Sequence, residues 1–199
     1  MKMKIIMLAL LAFSVSSHAA LITSSSDASL TGATVETFNS VALGEYSSLS
    51  VMGATIIGHG GTMSITEGHG GQYSQDGRVL ENTNTSPESF DIIFDNTVDA
   101  FGIWGGAYNH SWSFSAYDSL DNLLESVTVS VGCCDSTFFG IAHAGITKVT
   151  LASLSSDWVV FDNLTFKASS VSAVPVPAAL FLFAPALLGF LGFRRKKAA

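Results

Sequence analysis

The chain has 199 residues, 13% of them charged, with a formal net charge of −7 and a mean hydropathy of +0.42. Acids and bases are segregated: between residues 20 and 173 only Arg78, Lys148 and Lys167 oppose all 16 acidic residues, a formal charge of −13. That balance excludes nucleic acid and anionic membrane surfaces as partners of this segment. It leaves either a solvated acidic surface or bound cations, calcium above all.

The N-terminus opens with Lys2 and Lys4, continues as an apolar run from Ile5 to Phe13, and reaches Ser17-His18-Ala19. Charged start, short apolar middle and small residues three and one before a cut after Ala19 predict a secretory signal peptide over 1–19. The segment 20–167 is then long enough for one domain with its own core.

Helical periodicity is absent from this segment. Short runs rich in β-branched and aromatic residues alternate with Gly, Asn, Asp and Ser, which predicts an all-β domain. The expected strands in its first half are Thr34 to Phe38, Ala54 to Ile57, Thr62 to Thr66, Val79 to Asn82, Ser89 to Phe94 and Ala100 to Trp104. Gly58-His59-Gly60-Gly61 splits the second from the third, and Gly105-Gly106 ends the last. Along Ser89 to Phe94, period-two alternation sets Phe90, Ile92 and Phe94 on one face. The second half adds Trp112 to Tyr117, a turn at Asp118 to Asn122, then Leu123 to Val131, Thr137 to Ala142, Ile146 to Leu151 and Trp158 to Phe166. Turns every 8 to 12 residues, roughly, predict a β-sandwich of the jelly-roll kind.

The chain has no Gly-x-Ser-x-Gly, no His-Glu-x-x-His and no phosphate-binding glycine loop, so an enzyme is not expected. Gly-His-Gly-Gly occurs at His59 and again at His69. An extended strand between them sets the rings on the order of 30 Å apart, which favours glycine turns over a shared metal. Cys133 and Cys134 are adjacent, with Cα atoms about 3.8 Å apart, closer than an ordinary disulfide. They form a strained vicinal disulfide, two free thiols or a bridge to another molecule. Trp104, Tyr108 and Trp112 cluster around glycines and polar residues, the composition of a sugar-binding loop; core packing is the competing reading for both tryptophans.

On the last strand the alternation places Trp158, Val160, Asp162, Leu164 and Phe166 on one inward face. A carboxylate there needs a partner, since leaving it bare costs several kcal/mol. Two readings follow for Asp162. One is a structural calcium ion, with Glu36 of the first strand and loop carbonyls completing an oxygen shell. The other is a carboxylate that accepts backbone amides of a neighbouring loop.

After a short linker at 168–173 the chain reads VPVPAALFLFAPALLGFLGF from Val174 to Phe193, 20 residues without a charge, then Arg194, Arg195, Lys196 and Lys197. A helix of that length spans about 30 Å, the hydrocarbon thickness of a bilayer. The basic cluster holds the C-terminus inside and leaves the body outside. Val174-Pro175-Val176-Pro177-Ala178-Ala179, the apolar span and the basic end together resemble a PEP-CTERM-type sorting signal, nearest its VPLPA-CTERM variant, with Val176 where that variant has Leu. The resemblance covers 26 residues and concerns routing only. It implies a membrane-embedded exosortase as partner, a membrane-anchored intermediate and delivery to the surface or extracellular matrix of a Gram-negative bacterium. A permanent C-terminal anchor is the simpler reading. Phe101-Gly102-Ile103, Phe138-Phe139-Gly140-Ile141 and Phe161-Asp162-Asn163-Leu164-Thr165-Phe166 are loosely similar to sandwich domains of such proteins.

These features predict an exported, surface-sorted β-sandwich. A structural or adhesive matrix role leads, a calcium-dependent module that binds extracellular polysaccharide comes second, and a glycan hydrolase third.

Overall fold

The computed structural model describes residues 20–67, 73, 75, 77–83, 85–107, 110–131 and 135–170. The signal peptide, His69, Tyr108, Cys133, Cys134 and the tail from Val174 lie outside them. The described chain is almost entirely β. Its strands are β1 (Ala20–Ile22), β2 (Thr34–Glu36), β3 (Gly44–Tyr46), β4 (Ser48–Val51), β5 (Ala54–His59) and β6 (Met63–Glu67). Then come β7 (Arg78–Asn82), β8 (Ser89–Ala107), β9 (His110–Tyr117), β10 (Leu123–Val131), β11 (Thr137–Ser153) and β12 (Val159–Ala168). One 3-10 turn, Ala28–Leu30, is capped by the Asp27 side chain, which accepts from the Ser29 amide.

Two long strands build the sandwich. β8 and β11 pair along most of their length, and each belongs to both layers. The first half of β8 and the second half of β11 lie in a layer ordered β10-β9-β11-β8-β5-β4. The other halves lie in a second layer, where β1 flanks β11 and β12 flanks β8. Beyond β12 come β2 and, toward the other end, β7, β6 and β3. The chain crosses between layers where the register breaks, between Ala142 and Lys148 on β11, with Gly145 at φ +82. Bends and bulges are how strands turn such corners.

This corrects the strand boundaries read from the sequence. Ser89 to Phe94 and Ala100 to Trp104 are parts of one strand, because the chain bends without reversing and changes partner instead. Thr137 to Ala142 and Ile146 to Leu151 are likewise one strand. Gly105-Gly106 does not end β8: Gly105 pairs with Thr137 and Phe161, and Gly106 with Val160.

The core lies between the layers. Phe90, Ile92 and Phe94 face it together, as the alternation predicts, and all three are buried. Aromatic contacts tie one layer to the other. Phe161 of β12 meets Phe90 and Trp112 edge-on, with ring centroids 5.5 Å apart in both pairs, and Phe94 meets Phe166 at 5.3 Å. Trp112 is thus a core residue with no exposed surface, which overturns its reading as a sugar-binding side chain. It pairs with Val129 of β10, another core residue, so its inward direction is set by the β9–β10 register.

The turn from Asp118 to Asn122 is as expected. Asp118 accepts from the Asn122 side-chain amide and from the backbone amides of Asn122 and Leu120. These bonds, the Asn122 side chain first, hold its carboxyl below the ordinary 3.8.

Candidate functional site: a groove on the outer face of the second layer

The second layer has an outer face, and the register assigns its residues. Trp104 of β8 pairs with Phe138 of β11 on one side and Asp162 of β12 on the other, so all three point the same way. Ala100, Phe138, Ile22 and Leu30 form a small separate cluster there, with Trp104, Ala33 and Ala142 packed against it. The Trp104 and Phe138 rings meet at 5.5 Å and 68°. Glycines keep the neighbouring strand positions low. A Cβ on Gly102 would overlap the Phe138 ring, and one on Gly106 would lie 2.9 Å from the Tyr73 Cα.

Two segments stand on this face as walls. One is the N-terminal stretch around the 3-10 turn, tied down by Lys167 Nζ, which donates to the Thr31 carbonyl. The other carries Tyr73 and Gln75. Tyr73 packs over Gly106, its ring edge-on to Trp158 at 5.1 Å. Gln75 donates its backbone N–H to Asp162 Oδ2 at 3.0 Å and its side-chain Nε2 to Ser136 Oγ at 3.0 Å.

Between the walls lies a groove of about 340 Å³, lined by Ser25, Leu30, Gly32, Ala33, Val35, Gln75, Trp104, Asn163 and Thr165. That is near the lower end of the roughly 300–1,000 Å³ usual for small-ligand sites. None of the nine lining side chains ionises. Half-buried Trp104 supplies an aromatic surface, and Gln75, Asn163, Thr165 and Ser25 supply amides and hydroxyls. Such a surface stacks on an apolar face and hydrogen-bonds to neutral polar groups. Among the described residues the lining offers no carboxylate for acid–base work, and the nearest ammonium, Lys167 Nζ beside Gly32, donates to the Thr31 carbonyl.

Among the described residues, Trp104 is the predicted ligand residue that the fold places in a groove. Nothing in the sequence marks Val35, Gln75, Asn163 or Thr165 as ligand residues. Gln75 is held by Asp162, 87 positions further on, and nothing local marks that contact.

Asp162 differs from its predicted setting. β12 carries a bulge between Asp162 and Thr165, with Asn163 at φ +50. The bulge reverses the alternation. Val159 and Phe161 face the core before it, and Leu164 and Phe166 after it, so Asp162 is on the outer face. It is fully buried under the Gln75 segment, and its Oδ1 accepts from the Asn163 amide at 2.7 Å. Glu36 pairs with Leu164 and so lies on the core side. Its carboxylate accepts from the Phe38 amide at 2.7 Å and the Met52 amide at 3.1 Å, holding the reversal where Phe38 takes φ +59. The two carboxylates project from opposite faces of the layer, so the fold does not bring them to one ion. A calcium at either would compete with two backbone amides. Among the described residues no group of three or more His, Cys, Asp or Glu gathers as a metal site.

His59 lies on the outer face of the first layer, 2.9 Å from Asp91 Oδ2, and Thr150 donates to Asp91 Oδ1 at 2.6 Å. The hydroxyl is tied to the carboxylate and not to the imidazole, which is not the order of an activated nucleophile.

No family model matches this chain, and no curated protein matches it. Among solved structures it is similar to a Clostridium thermocellum endo-1,4-beta-D-xylanase comprising CBM22-1 and GH10 modules, complexed with xylohexaose. The identity is 16% and the TM-score 0.48, over 70% of this chain and 29% of that one. Two variants of a family 29 carbohydrate-binding module match at 12% and 13% identity, with TM-scores of 0.43 and 0.44. They cover 69% and 73% of this chain, and 99% and 98% of their own.

Proposed function

We propose that the chain is an exported jelly-roll module that binds an uncharged polysaccharide through the groove beside Trp104, without catalysing its turnover. The observation that carries this reading is the groove itself. An aromatic ring is fringed by amides and hydroxyls, with no ionisable side chain among the described lining residues. A sugar ring presents an apolar face and a rim of neutral hydroxyls, which such a lining complements. A purely structural role asks for no groove of this kind, so the binding reading moves ahead of the matrix-scaffold reading.

The groove and the −13 charge of the body both argue against acidic glycans. Trp104→Ala should therefore weaken binding to a neutral glucan or xylan about 30-fold, the ~2 kcal/mol of a central aromatic anchor. The melting temperature should shift far less than the affinity. Isothermal titration against neutral and uronic-acid polysaccharides reads both arms. Equal affinity of wild type and Trp104→Ala, or preference for the acidic glycans, refutes the reading.

The tail supports a route to the surface. The Pro175 and Pro177 motif, the apolar span and Arg194 to Lys197 fit insertion followed by exosortase processing, with the body outside. A chain truncated before Val174 should then be shed into the medium, whereas the full chain stays with the cells until processed. Equal cell retention of the two forms would sink the sorting role.

A further inference from the structure

We propose that β10 is a self-association edge, through which two copies of this chain join antiparallel and extend the first layer across both. β10 has nine residues and pairs only with β9, so one row of its backbone N–H and C=O groups has no strand partner among the described residues. Every other strand with a single partner is short: β1, β2 and β3 have three residues each and β4 has four. Short edges are a usual defence against edge-to-edge pairing, as are Lys, Pro and bulges along the strand. β10 reads LLESVTVSV, with no Lys and no Pro; its single inward-facing charge, Glu125 opposite Ala116, lies near its start and leaves Ser126 to Val131 without one. Its one register irregularity lies at its start, between Leu123 and Glu125.

Charge points to a second copy as the occupant. A body of formal charge −13 repels itself over most of its surface, yet β9 carries no acid and β10 only Glu125. The outward side chains at this edge are hydroxyls, some bonded to each other, such as Ser115 to Ser126 at 2.8 Å. Pairing about a two-fold axis through Val127 sets Ser126 opposite Thr128 and Glu125 opposite Val129. No carboxylate then faces its own copy, and both Val127 and Val129 stay on the core side. Such an interface is isologous and closes at two copies.

Like charges introduced at the outward positions test this independently of sugar binding. Ser126 and Thr128 are exposed, so substitution there leaves the core intact. The full chain, recovered in mild detergent, should sediment as a dimer that dissociates on dilution. The double variants Ser126→Lys/Thr128→Lys and Ser126→Glu/Thr128→Glu should each lose the dimer while melting as the wild type does. Mixed in equal amounts, they should recover it as a heterodimer. A wild type monomeric up to its solubility limit overturns the proposal. So do double variants that dimerise as well as the wild type, or a mixture that stays monomeric.

Discussion

Replacing Trp112 with alanine is expected to destabilise the protein by about 3–5 kcal/mol, enough to consume much of the roughly 5–15 kcal/mol that holds an ordinary domain folded. The indole fills the centre of the core, against Phe161 at 5.5 Å and Phe90 at 6.3 Å. Its loss opens a cavity between two layers that are pinned together by β8 and β11 and so collapse poorly onto it. A second cost follows. Trp112 Nε1 lies 3.4 Å from Oδ2 of Asp157, a carboxylate only 2% exposed, whose Oδ1 has no hydrogen-bond partner among the described residues. Removing the indole withdraws a donor from a buried charge. Trp112→Phe keeps a six-membered ring in the core but loses the pyrrole half of the indole and its donor, so it should fall between wild type and alanine. Urea unfolding followed by circular dichroism measures all three. An alanine variant within 1 kcal/mol of wild type, roughly a surface-level effect, would contradict the placement of this residue in the core.

Gly140→Ala should be comparably severe for the opposite reason. Gly140 pairs with Gly102 across β11 and β8. A Cβ at Gly140 would overlap the Phe101 carbonyl oxygen and lie 2.7 Å from the Gly102 Cα. These neighbours are backbone, so they cannot rotate away, and the two strands must separate in the longest ladder of the fold. The expected cost is about 3 kcal/mol, the upper end for overpacking. Gly102→Ala is the matched comparison. Its Cβ meets the ring of Phe138, a side chain, so it should cost less. Equal melting temperatures for Gly140→Ala and wild type would show that the strands have slack which the geometry denies them.

Much of the architecture was legible before any coordinate. Val, Ile, Thr and Phe in short runs, punctuated by Gly and Asn, are compatible with strands and with little else. The turn at Asp118 to Asn122 and the extent of β10 follow from the local sequence, because a tight hairpin is closed by its own residues. The corners were not legible. No residue pattern separates a strand that ends from one that bends and changes partner, as β8 does after Phe94.

The site divides along the same line. The sequence by itself determined that aromatic residues sit beside small polar ones at Trp104, Tyr108 and Trp112, and that the body is acidic. It could not decide which tryptophan faces outward. Trp104 and Trp112 are eight positions apart, but the chain reverses between them, and side-chain parity does not carry through a turn. Register decided it: Trp104 pairs with Phe138 on the outer face, and Trp112 with Val129 on the core side. Asp162 shows the same limit within one strand. Period-two alternation holds only while every residue advances the ladder by one step, and the bulge at Asn163 breaks that condition. The groove exists because segments distant in sequence, around Leu30 and around Gln75, come to rest on one sheet face. Their meeting is fixed by backbone hydrogen bonds and glycine clearances, which depend on the assembled strands and leave no periodic trace in the chain.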